Sequence, residues 1–140
     1  MADCFSHHSR IRFVDTDATG RIHYTALLRH FEAAEEEFMR SIGWPYADIE
    51  RRDESYPRVH IEADYLGPLR YDDQIETQVS VERVSEKSYT LHFRVVTGGV
   101  LAGKGRIVAV CMDKRTQKSR PLPEAFAAAL RLRIENAGAA

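Results

Sequence analysis

The most constraining feature of this sequence is a change of period. Leu27, Phe31, Ala34, Phe38 and Ile42 recur at spacings of three and four, which draws one apolar stripe along a helix. After Pro57 the spacing drops to two. Val59, Ile61, Ala63 and Tyr65 alternate with His60, Glu62 and Asp64. Ile75, Thr77, Val79 and Val81 follow, then Tyr89, Leu91, Phe93 and Val95. A last run, from about Leu101 to Met112, is apolar on both faces. One helix with one stripe and strands with one apolar face bury these surfaces together when the sheet curves around the helix. The expected class is α+β, a curved antiparallel β-sheet wrapped around one long central α-helix.

Punctuation sets the boundaries. The helix is expected from about Tyr24 to about Ser41, ended by Gly43 and kept from resuming by Pro45. Residues 46–57 read as loop. Ile11 and Phe13, within Arg10 to Asp15, read as one face of a short first strand. Glu86-Lys87-Ser88 and Gly98-Gly99 read as hairpin turns, and Gly67-Pro68 as a break between strands. A short closing helix starts near Pro123, with Phe126, Leu130 and Ile134 inward, and residues 136–140 read as a disordered tail. At 140 residues, without repeat or linker, the chain is expected to be a single domain over 1–140.

Charge and cysteine use exclude several classes. Twenty basic and 21 acidic side chains leave a net charge of -1, which gives no long-range attraction for nucleic acid or anionic membrane. Cys4 and Cys111 make neither a disulfide framework nor a zinc spacing, and the six histidines show no ligand spacing. No metal is expected. No apolar run suits a signal peptide or a membrane span, so a cytoplasmic location is expected.

The chemistry concentrates in Val14-Asp15-Thr16-Asp17-Ala18-Thr19-Gly20-Arg21-Ile22-His23-Tyr24, just before the long helix. Asp15-x-Asp17-x-x-Gly20 imitates the start of a calcium loop, but its twelfth position would be Ala26 where a bidentate Glu is required. The other local reading is an acid beside a helix N-terminus. Unpaired N–H groups there can polarise a carbonyl and hold the oxyanion formed on attack. A nearby carboxylate can attack that carbonyl, or deprotonate a water that does. Asp17 can also be a turn residue and nothing more.

Val14 to Phe38 resembles the hotdog-fold thioesterases of the 4-hydroxybenzoyl-CoA thioesterase type, including the acyl-CoA thioesterases of bacterial Tol-Pal operons. The resemblance lies in Asp15-x-Asp17-x-x-Gly20, His23-Tyr24 and Phe31-Glu32, and again in Asp64-Tyr65-Leu66-Gly67-Pro68-Leu69-Arg70-Tyr71-Asp72-Asp73. It implies hydrolysis of an acyl-CoA to free acid and CoA. Asp17 would be nucleophile or general base, and the Tyr24 N–H would polarise the thioester carbonyl. Gly20 would bring the turn close to substrate, and His23 would line the pocket. It also implies a homodimer or homotetramer with active sites at subunit interfaces, which would bring a neighbour's strand near Asp17, around His60 or Glu62. No cofactor is implied, CoA being part of the substrate.

The sequence departs from that family at Glu35, where many Tol-Pal relatives have Arg. Some hotdog thioesterases take their acid from the central helix, so Glu35 or Glu32 is an alternative acid. The cluster from Glu32 to Glu37 otherwise reads as a solvated helix face. Asp15 is expected to hold the turn through backbone N–H groups, and to raise the pKa of Asp17 by its charge. Arg58, Arg70, Lys87, Lys104 and Arg106 are candidates for the CoA phosphates, or ordinary solvated charges. Two other functions fit the same fold: a non-catalytic acyl-CoA-binding protein, and a hydroxyacyl-CoA dehydratase, for which no paired His and Asp motif is present.

Overall fold

The structure, a computed structural model, describes residues 4–139. Strand β1 (Phe5–Arg10) leads through a 3-10 turn (Phe13–Asp15) and a loop into α1 (Ala26–Ser41). A second 3-10 turn (Tyr46–Arg51) precedes β2 (Glu54–Ser55) and β3 (Arg58–Tyr65). Then come β4 (Gln74–Val84), β5 (Ser88–Thr97), β6 (Val100–Val110), β7 (Met112–Asp113) and α2 (Glu124–Ala139). The main sheet is antiparallel in the order β1-β4-β5-β6-β3, and β2 pairs with β7. A sheet curved around one long helix is the arrangement expected.

The stripe on α1 meets the inner face of the sheet. Leu27, Phe31, Ala34, Phe38 and Met39 are buried against Ile75, Val79, Leu91, Phe93 and Val95. Phe31 stacks on Phe93 with ring centroids 4.7 Å apart. Strand β6 makes room with glycine. A Cβ on Gly105 would lie 2.6 Å from Phe31 Cε2 and 2.3 Å from the Glu62 carbonyl oxygen. One on Gly103 would lie 3.1 Å from Leu27 Cδ2. At the other end of the helix Phe126 of α2 stacks on Trp44 at 4.7 Å and meets Tyr56 and Tyr89 edge-on.

Several expectations are corrected. The first strand is Phe5–Arg10, upstream of the predicted one, because pairing with β4 fixes it while its own side chains are too polar to show a period. Phe13 and Val14 lie exposed beyond it. Tyr24 and Thr25 form a turn before α1, and residues 46–57 include the 3-10 turn and β2. Helix α2 runs beyond the expected Ile134 to Ala139, so most of the expected 136–140 tail is helical; Ala140 lies outside the described residues. Strand β3 forms where the alternation predicted it, but its burial does not alternate: the register shifts between Arg58 and His60, and Val59 (60% exposed), Ile61 and Tyr65 remain uncovered on this open edge of the sheet. Among the described residues no helix is long and apolar enough to cross a membrane.

Candidate active site

The loop between the first 3-10 turn and α1 is closed on itself. Thr16 bridges Ile22, the Asp17 N–H donates to the Arg21 carbonyl at 3.0 Å, and the Gly20 N–H returns to the Asp17 carbonyl at 3.1 Å. Gly20 has φ 82°, a left-handed backbone that glycine adopts without steric cost. The loop is pinned from outside by the Ile22 N–H on the Leu69 carbonyl and by a bridge from Arg21 to Arg70.

Asp17 stands on this loop, exposed. Its Oδ1 accepts the Thr19 N–H at 2.8 Å and the Thr19 hydroxyl at 2.5 Å. Oδ2 accepts no hydrogen bond from a described residue. The Thr19 hydroxyl and N–H hold the Asp17 carboxyl below the usual carboxylate range. The expected upward tuning by Asp15 is therefore corrected, because local donors on Oδ1 outweigh any repulsion.

Asp15 is a different kind of carboxylate, only 4% exposed. Its Oδ2 accepts the Arg12 N–H at 2.8 Å and meets His30 Nε2 at 2.9 Å, while Oδ1 faces Arg29 Nη2 at 3.3 Å. Burial pushes this carboxyl up, but the Arg12 N–H, His30 and Arg29 together bring it below its ordinary value. It holds the turn as expected, and it also ties the turn to the first turns of α1.

The two residues after Ile22 form the start of the helix. His23 Nδ1 lies 2.9 Å from the Thr25 hydroxyl and accepts the Thr25 N–H at 3.2 Å, so His23 caps the turn while its ring stacks on Tyr24. The Ala26 N–H donates to the His23 carbonyl at 2.8 Å. The Tyr24 N–H donates to no described residue. The Tyr24 ring is 70% exposed, and its carbonyl accepts the Tyr65 hydroxyl of β3. Phe13, Val14, Tyr65, Leu66 and Tyr71 are also exposed, and the Phe13 and Tyr71 rings meet edge-on with centroids 5.8 Å apart.

Asp17, Gly20, His23 and Tyr24 are thus brought together on one segment. His60 is not with them. Its β3 neighbour Ile61 faces the helix, so His60 faces outward, where its Nε2 meets Glu62 Oε1 at 2.9 Å and Arg106 pairs with Glu62 and Glu82. The expectation set His60 on a neighbour's strand beside Asp17; within one chain it stands on the outer face of the sheet, since alternate residues of a strand point to opposite faces.

Glu35 is corrected from solvated to buried, with 1% of its surface exposed. Its Oε2 is bonded by Arg58 Nη2 and approached by the Tyr89 hydroxyl at 3.5 Å. Arg58 Nη2 also donates to the Tyr46 hydroxyl at 3.0 Å, and Nη1 donates to the Tyr56 carbonyl at 2.6 Å. Arg58 is therefore committed to this cluster rather than solvated. The cluster lines a cavity of about 510 Å³ between α1, β3 and the Trp44–Tyr56 segment. Glu32 and Arg29 line it too, and Asp17 does not. Position 35 could have been found in the sequence, lying four residues from both Phe31 and Met39 and so inside the buried stripe. Tyr46, Arg58 and Tyr89 carry no comparable signal, because only the fold brings them to Glu35.

Comparison with known proteins shows the family and the fold. The family model described as the thioesterase-like superfamily matches residues 11–130. A 1,4-dihydroxy-2-naphthoyl-CoA hydrolase of Prochlorococcus marinus is 31% identical over 116 residues, 77% of this chain and 75% of the relative's length. The crystal structure of a hypothetical protein from Aquifex aeolicus superposes with a TM-score of 0.85 at 27% identity, covering 90% of this chain and 98% of that one. A 1,4-dihydroxy-2-naphthoyl-CoA thioesterase from Synechocystis shares the fold with a TM-score of 0.86 at 20% identity, covering 92% and 96%.

Proposed function

The chain belongs to the thioesterase-like superfamily and has its hotdog fold, and on that premise we propose that it hydrolyses an acyl-CoA thioester with Asp17 as the reacting carboxylate. The observation that carries this reading is a pair of uncommitted groups on one closed loop: Asp17 Oδ2, and the Tyr24 N–H just before α1. The thioester carbonyl would dock on the Tyr24 N–H, where the positive end of the helix dipole stabilises a developing oxyanion. Asp17 Oδ2 would attack the carbonyl carbon. The C–S bond would break, CoA would leave as thiolate and take a proton, and water would hydrolyse the mixed anhydride. A carboxyl held below its usual pKa is ionised at neutral pH, as both attack on the carbonyl carbon and activation of a water require.

Two features support a site completed by a second copy of the chain. Apolar residues around the Asp17 loop are exposed, and β3 is an open edge with exposed apolar side chains. The cavity beside β3 would take the acyl group. Its aromatic walls at Trp44, Tyr56 and Phe126 suit a flat ring, in keeping with the naphthoyl substrates for which relatives are named. Arg21 and Arg70, exposed and adjacent across their bridge, would meet CoA phosphates near the loop.

The test is thiol release from aryl-CoA esters by the purified chain. Steady turnover of an aryl-CoA is the expected result, and binding without turnover would move the protein to the non-catalytic reading. A single turnover in isotope-labelled water separates the routes, since label reaches Asp17 only through the anhydride.

A further inference from the structure

The peptide group that carries the Tyr24 N–H is aimed by hydrogen bonds on itself and on both of its neighbours. On the peptide before it, the His23 N–H donates to the Asp15 carbonyl at 2.6 Å. Its own carbonyl, that of His23, accepts the Ala26 N–H at 2.8 Å. On the peptide after it, the Tyr24 carbonyl accepts the Tyr65 hydroxyl. Two of these bonds come from the segment that contains the loop. The third comes from β3, 41 residues away in the chain, and it is the one supplied by a side chain. The Thr25 side chain makes no capping hydrogen bond to α1, so the entry to the helix depends on such contacts.

We propose that Tyr65 is a positioning residue: its hydroxyl, carried on the sheet, holds the Tyr24 carbonyl and so aims the Tyr24 N–H at the substrate carbonyl. This rests on the thioesterase reading above and deepens it. Tyr65 ends β3, paired with Gly103 of β6, and the Leu66 and Gly67 N–H groups next to it both donate to the Ala102 carbonyl, at 2.9 and 3.1 Å. The sheet therefore fixes the backbone at Tyr65, and the rigid ring carries the hydroxyl across to the loop. The bonds from Ile22 to Leu69 and from Arg21 to Arg70 join the same two segments, but both lie before His23. Partial burial and the neighbouring Tyr24 raise the Tyr65 phenol above its ordinary pKa, which keeps it a donor. An oxyanion is stabilised only by a donor that points to where its charge develops, so a small rotation of this peptide weakens the transition state more than the bound ester. Tyr65 acts here through Tyr24 and needs no contact with the substrate.

The experiment compares the native protein with Tyr65→Phe on whichever aryl-CoA ester turns over fastest. The substitution keeps the half-exposed ring and removes only the hydroxyl. The kcat is expected to fall by about tenfold or more while KM stays within about twofold, since the lost bond acts on the transition state. Sedimentation is expected to be unchanged, and the melting temperature to stay within about 4 °C, the worth of one hydrogen bond in a chain of this length. A second readout is the carbonyl stretch of the same ester bound to Asp17→Asn, where it survives long enough to be observed. Its infrared band is expected to move to lower frequency on binding, and adding Tyr65→Phe is expected to reverse part of that shift. Native kcat in Tyr65→Phe, or a carbonyl band that the added substitution leaves in place, would overturn the assignment and leave the thioesterase reading standing. So would a loss of kcat accompanied by a larger drop in melting temperature or a changed assembly, because the hydroxyl would then serve the fold. Absence of thiol release by the native protein would remove both.

Discussion

Thr19 gives Asp17 two donors on one oxygen, and Arg12, His30 and Arg29 surround both oxygens of Asp15. These two carboxylates, two residues apart, are therefore set for different work. The Asp17 carboxyl sits below its ordinary pKa, so the acid limb of kcat/KM is expected below the usual carboxylate range. Thr19→Ala removes the hydroxyl donor, raises the Asp17 pKa and moves that limb upward, which a pH–rate profile reads directly. Asp15 acts on stability. Asp15→Asn is expected to cost about 2 kcal/mol in urea unfolding at neutral pH, because it replaces one of two buried acceptor oxygens, which face the Arg12 N–H, His30 Nε2 and Arg29 Nη2, with a donor. Since the folded carboxyl titrates below the unfolded one, this contribution is present above the unfolded pKa and is lost as the pH falls through the folded value. The sequence exposed both acids and the turn that Asp15 holds. It could not expose His30 and Arg29 as partners of Asp15, because nothing local links them until α1 folds back beside the turn.

At the scale of elements, legibility followed burial. Helix α1 and strands β4 and β5 were readable because their buried faces impose a strict period, down to the residues that fill them. Strand β1 was not, since its partner β4 sets its register and its sequence FSHHSR has no apolar alternation. The buried Glu35 was misread because acids on helices are normally solvated, and only the Arg58 pairing makes burial tolerable. Strand β6 shows the reverse case, where a missing side chain does the positioning. Gly105 lies under Phe31, and Gly105→Ala is expected to cost about 2 kcal/mol or more, seen as a lowered melting temperature, because the backbone of β3 and the Phe31 ring cannot both give way.

For the whole molecule, the open β3 edge and the exposed apolar residues around the Asp17 loop fit the proposed site shared between copies of the chain. Sedimentation of the native protein is expected to show a dimer or larger. Val59→Lys on the exposed edge is expected to shift it toward monomer and reduce turnover in parallel; a fully active monomer would refute a shared site. A sheet wrapped around one helix was legible from period and its hotdog identity from the resemblance, whereas the cavity was not legible, because its wall combines α1, β3, β5, β6, α2 and the Trp44–Tyr56 segment, which only the closed fold assembles. The account as a whole turns on the carboxylate at position 17, and the kinetics of Asp17→Asn test it most directly. Its side chain is exposed, so the variant should keep the native circular dichroism and melting temperature. Its kcat/KM on the best aryl-CoA is predicted to fall by about 100-fold or more; turnover at the native rate by the folded variant would contradict the account.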